Sequence, residues 1–342
     1  MRVLFIGGTG NISASCTRDA IARGIEVVHL NRGQTELPLS AGSGRRDASA
    51  LDANVRTITA DIRKPDEAAA AIKGQHFDAV VDWIAFTPDH IRTDLELFRD
   101  RTAQFVFISS ASVYHKPVRH HVITESTPAH NPFWKYSQNK IACESLLWSE
   151  YAEHGFPITI VRPSHTYSDG WFPTTFGSKD FTYPQRIIDG KPIVVHGDGQ
   201  SLWTITHADD FAKGFNGLLG NPQTIGETFH ITSDEALSWD EIHRAIGVAV
   251  GAEPRIVHIP SEAIAAIDPD VGPGLIGDKQ YSVVFDNSKI KRYVPGFCAT
   301  IPFAEGMRRS IRWIEENPDR KQIDNGITSL VERLIAAMER IG

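Results

Sequence analysis

The chain has 342 residues, 41% of them hydrophobic and 23% charged, a profile that excludes disordered and fibrous classes. That length exceeds what one small core organises, so one large domain with an appended lobe, or two domains, is expected. A net charge of −7 disfavours nucleic-acid binding, which needs a basic surface to displace counterions, and no stretch approaches ~20 uninterrupted apolar residues, so no membrane span is expected.

The chain opens on an apolar strand, Arg2 to Ile6, that runs into Gly7-Gly8-Thr9-Gly10-Asn11-Ile12 and a helix near 12–23. A glycine-rich turn between a strand and a helix lets backbone N–H groups close on a pyrophosphate at the helix N-terminus. A dinucleotide site using Gly7, Gly10, Asn11 and Ile12 is therefore expected. Ser13 stands at the third glycine position of the pattern, where helix-to-strand packing needs a small residue. A second strand, Glu26 to Leu30, ends in Asn31-Arg32-Gly33 instead of the carboxylate that would bind the adenosine ribose of NAD. A guanidinium there can hold a 2′-phosphate in a fork, so NADP is preferred over NAD, with Asn31 and Arg32 as its readers. Ser40 to Ser49, rich in Gly, Ser and Ala, reads as a flexible loop. Its Arg45-Arg46 pair reads as solvated, within reach of the same phosphate.

Further strands are expected at 55–59, 79–83, 105–109 and 158–161, and helices near 65–73, 88–100 and 135–154. The strands are mostly continuous in Val, Ile and Phe, as strands covered on both faces of a parallel sheet should be. The fold class is α/β: a Rossmann-type doubly wound parallel sheet with a smaller C-terminal α/β substrate-binding lobe. After Pro163 the texture turns to Gly, Pro and aromatics. The division is a dinucleotide-binding domain over 1–165, with returning segments near 204–232, and a mainly substrate-binding lobe over 166–342. Within the second part we expect a hairpin around Gly197-Asp198-Gly199, a helix from Ala208 to about Leu219, a strand at 228–232 and a helix after Ser238. A C-terminal packing helix would bury Leu330, Leu334, Met338 and Ile341. Cys16, Cys143 and Cys298 are odd in number and widely spaced, which fits reduced cytoplasmic thiols rather than a disulfide framework or zinc site.

Tyr136-Ser-Gln-Asn-Lys140 places a phenol and an ammonium on one helix face. A positive neighbour lowers a phenol's pKa toward the range where it exchanges a proton with a substrate hydroxyl or carbonyl. Upstream, Phe105-Val-Phe-Ile-Ser109-Ser110-Ala111-Ser112 ends a strand in hydroxyls.

In this order, the glycine turn, the hydroxyl-ended strand and the Tyr136/Lys140 helix resemble the extended short-chain dehydrogenase/reductases, the family of UDP-galactose 4-epimerase and the nucleotide-sugar dehydratases. Further landmarks are Ala60-Asp61-Ile62, Val80-Val81-Asp82-Trp83-Ile84-Ala85, Arg162-Pro163-Ser164-His165 and His207-Ala208-Asp209-Asp210. The resemblance implies that Tyr136 is the acid/base, that Lys140 tunes it and holds the nicotinamide ribose, and that Ser110 binds the reacting oxygen. It implies that Asp61 and Ile62 flank the adenine, that Trp83, Ile84 and Ala85 line the cofactor, and that Pro163, Ser164 and His165 approach the nicotinamide. It also implies a homodimer formed through the Tyr136 helix and the helix near 88–100.

Departures from the family narrow the reaction. Sugar dehydratases carry an acidic pair directly after the catalytic hydroxyl, and related decarboxylases keep a glutamate there, whereas this chain has Ala111 and Ser112. Dehydration is not expected; an epimerase or a net reductase of a carbohydrate-like small molecule is. Trp203 replaces an arginine that pairs with the substrate diphosphate in nucleotide-sugar enzymes, so Arg186 or Lys179 would have to take over, or Trp203 stacks on a planar group or packs. His115, His120, His121 and His130 lack metal-ligand spacing, so they read as a solvated loop at the cleft and no metal is expected. The alternatives are a non-catalytic RNA-binding protein on this fold, as in plastid stem-loop-binding relatives, and an NADP sensor without turnover.

Overall fold

The computed structural model describes residues 1–33 and 55–339. The Ser40 to Ser49 loop, its Arg45-Arg46 pair and Ile341 lie outside them.

Its centre is a sheet of 7 strands: β1 (Arg2–Ile6), β2 (Glu26–Asn31), β3 (Arg56–Thr59), β4 (Ala79–Asp82), β5 (Phe105–Ile108), β6 (Ile158–Pro163) and β7 (Glu227–Ile231). They lie in the order β3-β2-β1-β4-β5-β6-β7, every neighbouring pair parallel. Chain order reverses between β1 and β4. In an open parallel sheet that reversal leaves a crevice beyond the strands' carboxyl ends, where ligands bind.

The strands are apolar throughout because both faces are covered. On one face α1 (Asn11–Ala22) packs with Ala208–Asn216, burying Cys16, Ala20, Phe211 and Phe215 against Val3, Phe5 and Val81. On the other face α2 (Pro65–Ala71), α3 (Pro88–Phe98) and α4 (Lys135–His154) bury Ala68, Ile91, Leu95, Cys143 and Leu147 against Leu4, Val80 and Phe107. The sheet is therefore doubly wound. α5 (Thr182–Ile188), α6 (Ala208–Asn216) and α7 (Trp239–Val250) follow. α7 starts on a capping box in which Ser238 Oγ accepts the Glu241 N–H and Glu241 returns to the Ser238 N–H at 2.8 Å.

A third apolar cluster lies outside the sheet, joining Phe172, Tyr183, Val194, Trp203, Trp239 and Ile246 to Leu330 and Leu334 of the C-terminal helix Asn325–Glu339. The expected hairpin does not form. Gly197 and Gly199 do turn the chain with positive φ, yet Pro192–His196 pairs in parallel with Arg255–Ile259, and Leu202–Trp203 pairs with Leu237–Ser238. The strand expected at 228–232 is β7, so the chain returns to the sheet after Pro192–His196 has formed elsewhere. The Ala208 helix stops at Asn216 instead of Leu219, where Gly217 lies against Val294.

Candidate active site

The turn between β1 and α1 leaves room for a ligand. Gly7 adopts φ +82°, which favours glycine, and a Cβ there would lie 2.6 Å from Cγ2 of Ile84. A Cβ at Gly8 would strike the ring of His29 beneath it. Ser13 does more than stay small: its Oγ donates to the Gly7 carbonyl at 2.8 Å and accepts the Gly10 N–H at 2.8 Å, closing the turn on itself. His29 bonds Thr17 Oγ1 at 2.9 Å, and burial pushes its imidazole down to about 4, so it is neutral. Asn11 donates to the Thr166 carbonyl at 2.9 Å, while its Oδ1 is buried without a partner among the described residues.

A cavity of about 550 Å³ opens over this turn, walled by Gly7, Gly10, Asn11, Asn31, Arg32 and Ile62 among others. A glycine cradle at a helix start, walling a cavity of this size, fits a dinucleotide phosphate. Ile12 and Asp61 are not on this wall. Ile12 packs on the sheet-face cluster, and Asp61 accepts the Arg63 N–H at 3.0 Å.

The segment after β4 is pinned from beneath. Asp82 Oδ1 accepts the N–H groups of Ile84 at 2.6 Å and Ala85 at 2.8 Å. Ile84 faces the cavity, whereas the Trp83 ring turns inward onto Phe5 and Phe215. Behind Asp82 sits Asp94 of α3, fully buried, whose carboxyl hydrogen-bonds the Asp82 carboxylate when it holds its proton. Burial, reinforced by the neighbouring Asp82 carboxylate, holds Asp94 well above the usual carboxylate range.

A stability prediction follows from the sign of that shift. The unfolded chain releases the Asp94 proton near pH ~4, whereas the folded chain keeps it to higher pH and so binds more protons in between. Stability is therefore lost as pH rises from ~4 through the folded value. Asp94→Asn is neutral at every pH, so its Tm should fall less steeply than wild type as pH rises above about 4, with the largest gain at the alkaline end. Parallel Tm curves for the two proteins would contradict a buried protonated acid.

α4 places Tyr136 and Lys140 on one face. Ser110 and Tyr136 line a second cavity of about 690 Å³, together with Pro163, Ser164 and His165. Ser110 Oγ accepts the Ser112 N–H at 3.2 Å and lies 2.9 Å from Ser112 Oγ, to which Ser137 Oγ donates at 2.7 Å. Three hydroxyls thus form a chain ending at the cavity. Lys140 is buried, with Nζ donating to the carbonyls of Ala85 and Ile108, each at 2.7 Å. Its ammonium stands 5.9 Å from the centre of the Tyr136 ring, and burial pushes it down to about 8.

The phenol departs from expectation. The spacing predicts a pKa lowered by Lys140, but burial raises Tyr136, a hydrogen bond with Ser110 opposes that, and Asp278 adds to it. The Lys140 charge is engaged by two carbonyls, and desolvation of the phenolate wins. Burial likewise pushes His165 down to about 3, with Lys279 adding to the shift, so it faces the cavity as a neutral ring bonded to Ser178 Oγ at 3.1 Å.

Trp203 lines the second cavity, its ring tilted on Trp239 at 5.4 Å and its Nε1 buried without a partner among the described residues. Arg186 does not reach that cavity: it bonds Glu332 at 2.7 Å and the Pro192 carbonyl at 2.9 Å. Lys179 and Trp171 line both cavities. The four-histidine segment lines neither: His120, His121 and His130 are exposed, and the His115 and His130 rings lie 5.1 Å apart. Among the described residues no three His, Cys, Asp or Glu side chains gather as a metal site.

Sequence reasoning missed Lys116, Asp278 and Lys279 on the second cavity's wall. Lys116 is buried 3.5 Å from Asp278, and Lys279 donates to the carbonyls of Thr174 at 3.0 Å and Thr175 at 2.7 Å. Asp278 and Lys279 arrive from a π turn, Leu275–Lys279, far along the chain, and no local motif marks them.

Residues 3–232 match the model of the NAD dependent epimerase/dehydratase family. The chain is similar to the 2'-dehydrokanamycin reductase of Streptomyces kanamyceticus, 25% identical, covering 87% of this chain and 80% of the relative. It is also 25% identical to the chloroplast stem-loop binding protein of 41 kDa b of Arabidopsis thaliana, over 75% of this chain and 65% of the relative. Among solved structures, dTDP-glucose 4,6-dehydratase from Bacillus anthracis in complex with NAD shares the fold, with a TM-score of 0.72 at 18% identity over 93% of this chain and 98% of that one. No helix among the described residues is long and apolar enough to cross a membrane.

Proposed function

The chain belongs to the NAD-dependent epimerase/dehydratase family, and from that premise we propose that it is an NAD(P)-dependent reductase or epimerase acting at a hydroxyl or keto carbon of a sugar-like substrate. The observation that carries this reading is the meeting of Ser110 and Tyr136 hydroxyls in one cavity, beside a second cavity floored by the glycine turn. Bound over that turn, a nicotinamide dinucleotide supplies or accepts the hydride.

The chain's own residues do the rest. Ser110 Oγ and the Tyr136 hydroxyl hold the reacting oxygen. Tyr136, kept protonated by burial, donates its proton to the developing alkoxide in reduction and recovers it in oxidation. Lys140 fixes the Ala85 and Ile108 carbonyls at the junction and presents its ammonium to the nicotinamide ribose. Gly7, Gly10 and Asn11 take the pyrophosphate, Asn31 and Arg32 the adenosine end and Ile62 the adenine, while Ile12 and Asp61, off the cavity wall, make no direct contact. Ile84 lines the cofactor beside Ala85, whose carbonyl Lys140 holds, while the Trp83 ring points away from it, and Pro163, Ser164 and His165 approach the nicotinamide. Residues 1–165 then serve the cofactor and 166–342 mainly the substrate.

Dehydration is not part of the proposal. It needs an acid and a base beside the catalytic hydroxyl, where Ala111 and Ser112 stand, and Asp278, the one carboxylate among the described lining residues, is paired with Lys116. Trp203 in place of a diphosphate-binding arginine favours a glycoside without a nucleotide, a class represented by the kanamycin-type relative. The deciding assay incubates the protein with NADPH and a panel of keto-glycosides, with and without a nucleotide. Stoichiometric NADPH loss identifies a reductase, and epimer without net cofactor change identifies an epimerase. Failure of both, joined to salt-sensitive binding of structured RNA, would favour a second reading supported by the similarity to the stem-loop binding protein.

NADP is the proposed cofactor, with NAD the alternative supported by the NAD-bound neighbour. Arg32→Ala should weaken NADPH binding about tenfold, the value of one charge-assisted contact, and leave NADH binding unchanged. Equal loss for both, measured by fluorescence titration, would remove Arg32 from 2′-phosphate recognition. The reading also carries a homodimer meeting through α3 and α4, testable by light scattering, and a cytoplasmic location, supported by three free cysteines.

A further inference from the structure

The cofactor cavity has a second wall that the glycine turn does not explain. Besides the turn's own residues it is lined by Lys179, Trp313, Arg320 and Gln322, all from the second half of the chain. Their approach is built by packing. Asn11 ties the start of α1 to the Thr166 carbonyl, directly before the Ser168 to Trp171 stretch. Gly170 has φ +81° and lies so close to Trp313 that a Cβ would strike the indole. The Gln322 carbonyl accepts the Phe181 N–H at 2.7 Å, and the Asp324 N–H bonds Thr182 Oγ1 at 2.8 Å, which docks the 318–324 segment beside Lys179.

The charge on this cavity runs against the rest of the molecule. Arg18, Arg32, Lys179 and Arg320 line it, against Asp169 alone among the described residues, in a chain of net charge −7. Asp169 is itself engaged with His207 Nε2 at 3.1 Å. Lys179 lies over Trp171 at 5.4 Å, and Arg320 has only its sequence neighbour Asp319, at 3.5 Å, as an ion-pair partner among the described residues. Clustered cations in a walled cleft focus a positive potential and raise the local concentration of a polyanion.

We propose that Lys179 and Arg320 form a cationic cover, carried by the second half of the chain, that binds the dinucleotide's phosphates in addition to the glycine turn. The proposal rests on the dinucleotide reading above. The cofactor is then held by two walls, and its escape requires breaking contacts on both. Because Lys179 and Trp171 also line the substrate cavity, the cover forms the partition between the two ligands.

NADPH is the probe. Trp171 and Trp313 on the cavity wall make tryptophan-to-NADPH energy transfer a direct readout. Lys179→Gln and Arg320→Gln should each raise Kd about tenfold, mostly through faster dissociation, and each should flatten the salt dependence of binding. Tm without cofactor should match wild type. A double variant that binds and releases NADPH like wild type overturns the cover. Gly10→Glu, which sets a carboxylate at the helix start, separates the two levels. If wild type binds and Gly10→Glu does not, failure of the double variant to weaken binding sinks the cover alone. If wild type binds neither NADPH nor NADH, or Gly10→Glu binds equally, the dinucleotide reading fails as well.

Discussion

Tyr136→Phe should lower kcat about 10²- to 10⁴-fold, the usual share of one positioned general acid, while NADPH affinity and Tm stay close to wild type. The phenyl ring preserves the packing against Trp134, at 4.9 Å, and Phe86, at 6.4 Å, so only the hydroxyl is lost. The pH dependence of the wild-type enzyme provides a second signature. Reduction needs the phenol and oxidation the phenolate. A phenol held above its ordinary range keeps reduction flat through neutrality, whereas oxidation climbs into alkaline pH. A variant that retains most activity, or an oxidation rate with no alkaline rise, would remove Tyr136 from proton transfer.

Glu144→Ala should destabilise the protein by about 3–5 kcal/mol, the cost of stranding a buried charge. Arg162 in β6 and Glu144 in α4 form a two-pronged ion pair, at 2.9 and 2.6 Å, with both side chains buried, and the guanidinium lies 4.7 Å over the Tyr114 ring. The pair joins the strand that leads to Pro163 with the helix that carries Tyr136 and Lys140. Without Glu144 the guanidinium has neither water nor counter-charge. Replacing both partners, Glu144→Leu with Arg162→Met, should recover much of the loss, because two apolar groups leave nothing unpaired. Chemical denaturation of the three proteins checks this, and a single-variant cost below ~1 kcal/mol would show that the site is wetter than its burial indicates.

The sheet was readable because its strands are apolar runs bounded by glycine, proline or polar breaks. β1 through β6 and the helices between them lie within a few residues of where periodicity puts them. The second half was less readable because its strands are two to five residues long and their partners are distant in sequence. Gly197 and Gly199 gave a true turn signal, but a turn does not dictate that the flanking strands pair. In the site, the spacing of Tyr136 and Lys140 is a property of a helix and so is visible in sequence. Whether the ammonium reaches the phenol depends on the Ala85 and Ile108 carbonyls and on burial, which are tertiary facts. Lys116 and Asp278 meet only because the π turn folds back over the cavity.

The return of the chain to the sheet bears on how the protein matures during synthesis. β7 comes from Glu227–Ile231, after Pro192–His196 and Leu202–Trp203 of the outer part have been made but before the strands they pair with, and it covers β6. Until those residues emerge, β6 has an open edge of unpaired N–H and C=O groups, the kind that recruits strands from other chains. A nascent chain halted after Pro163 is therefore expected to be sticky, whereas one that has emerged past Ile231 can close its own edge.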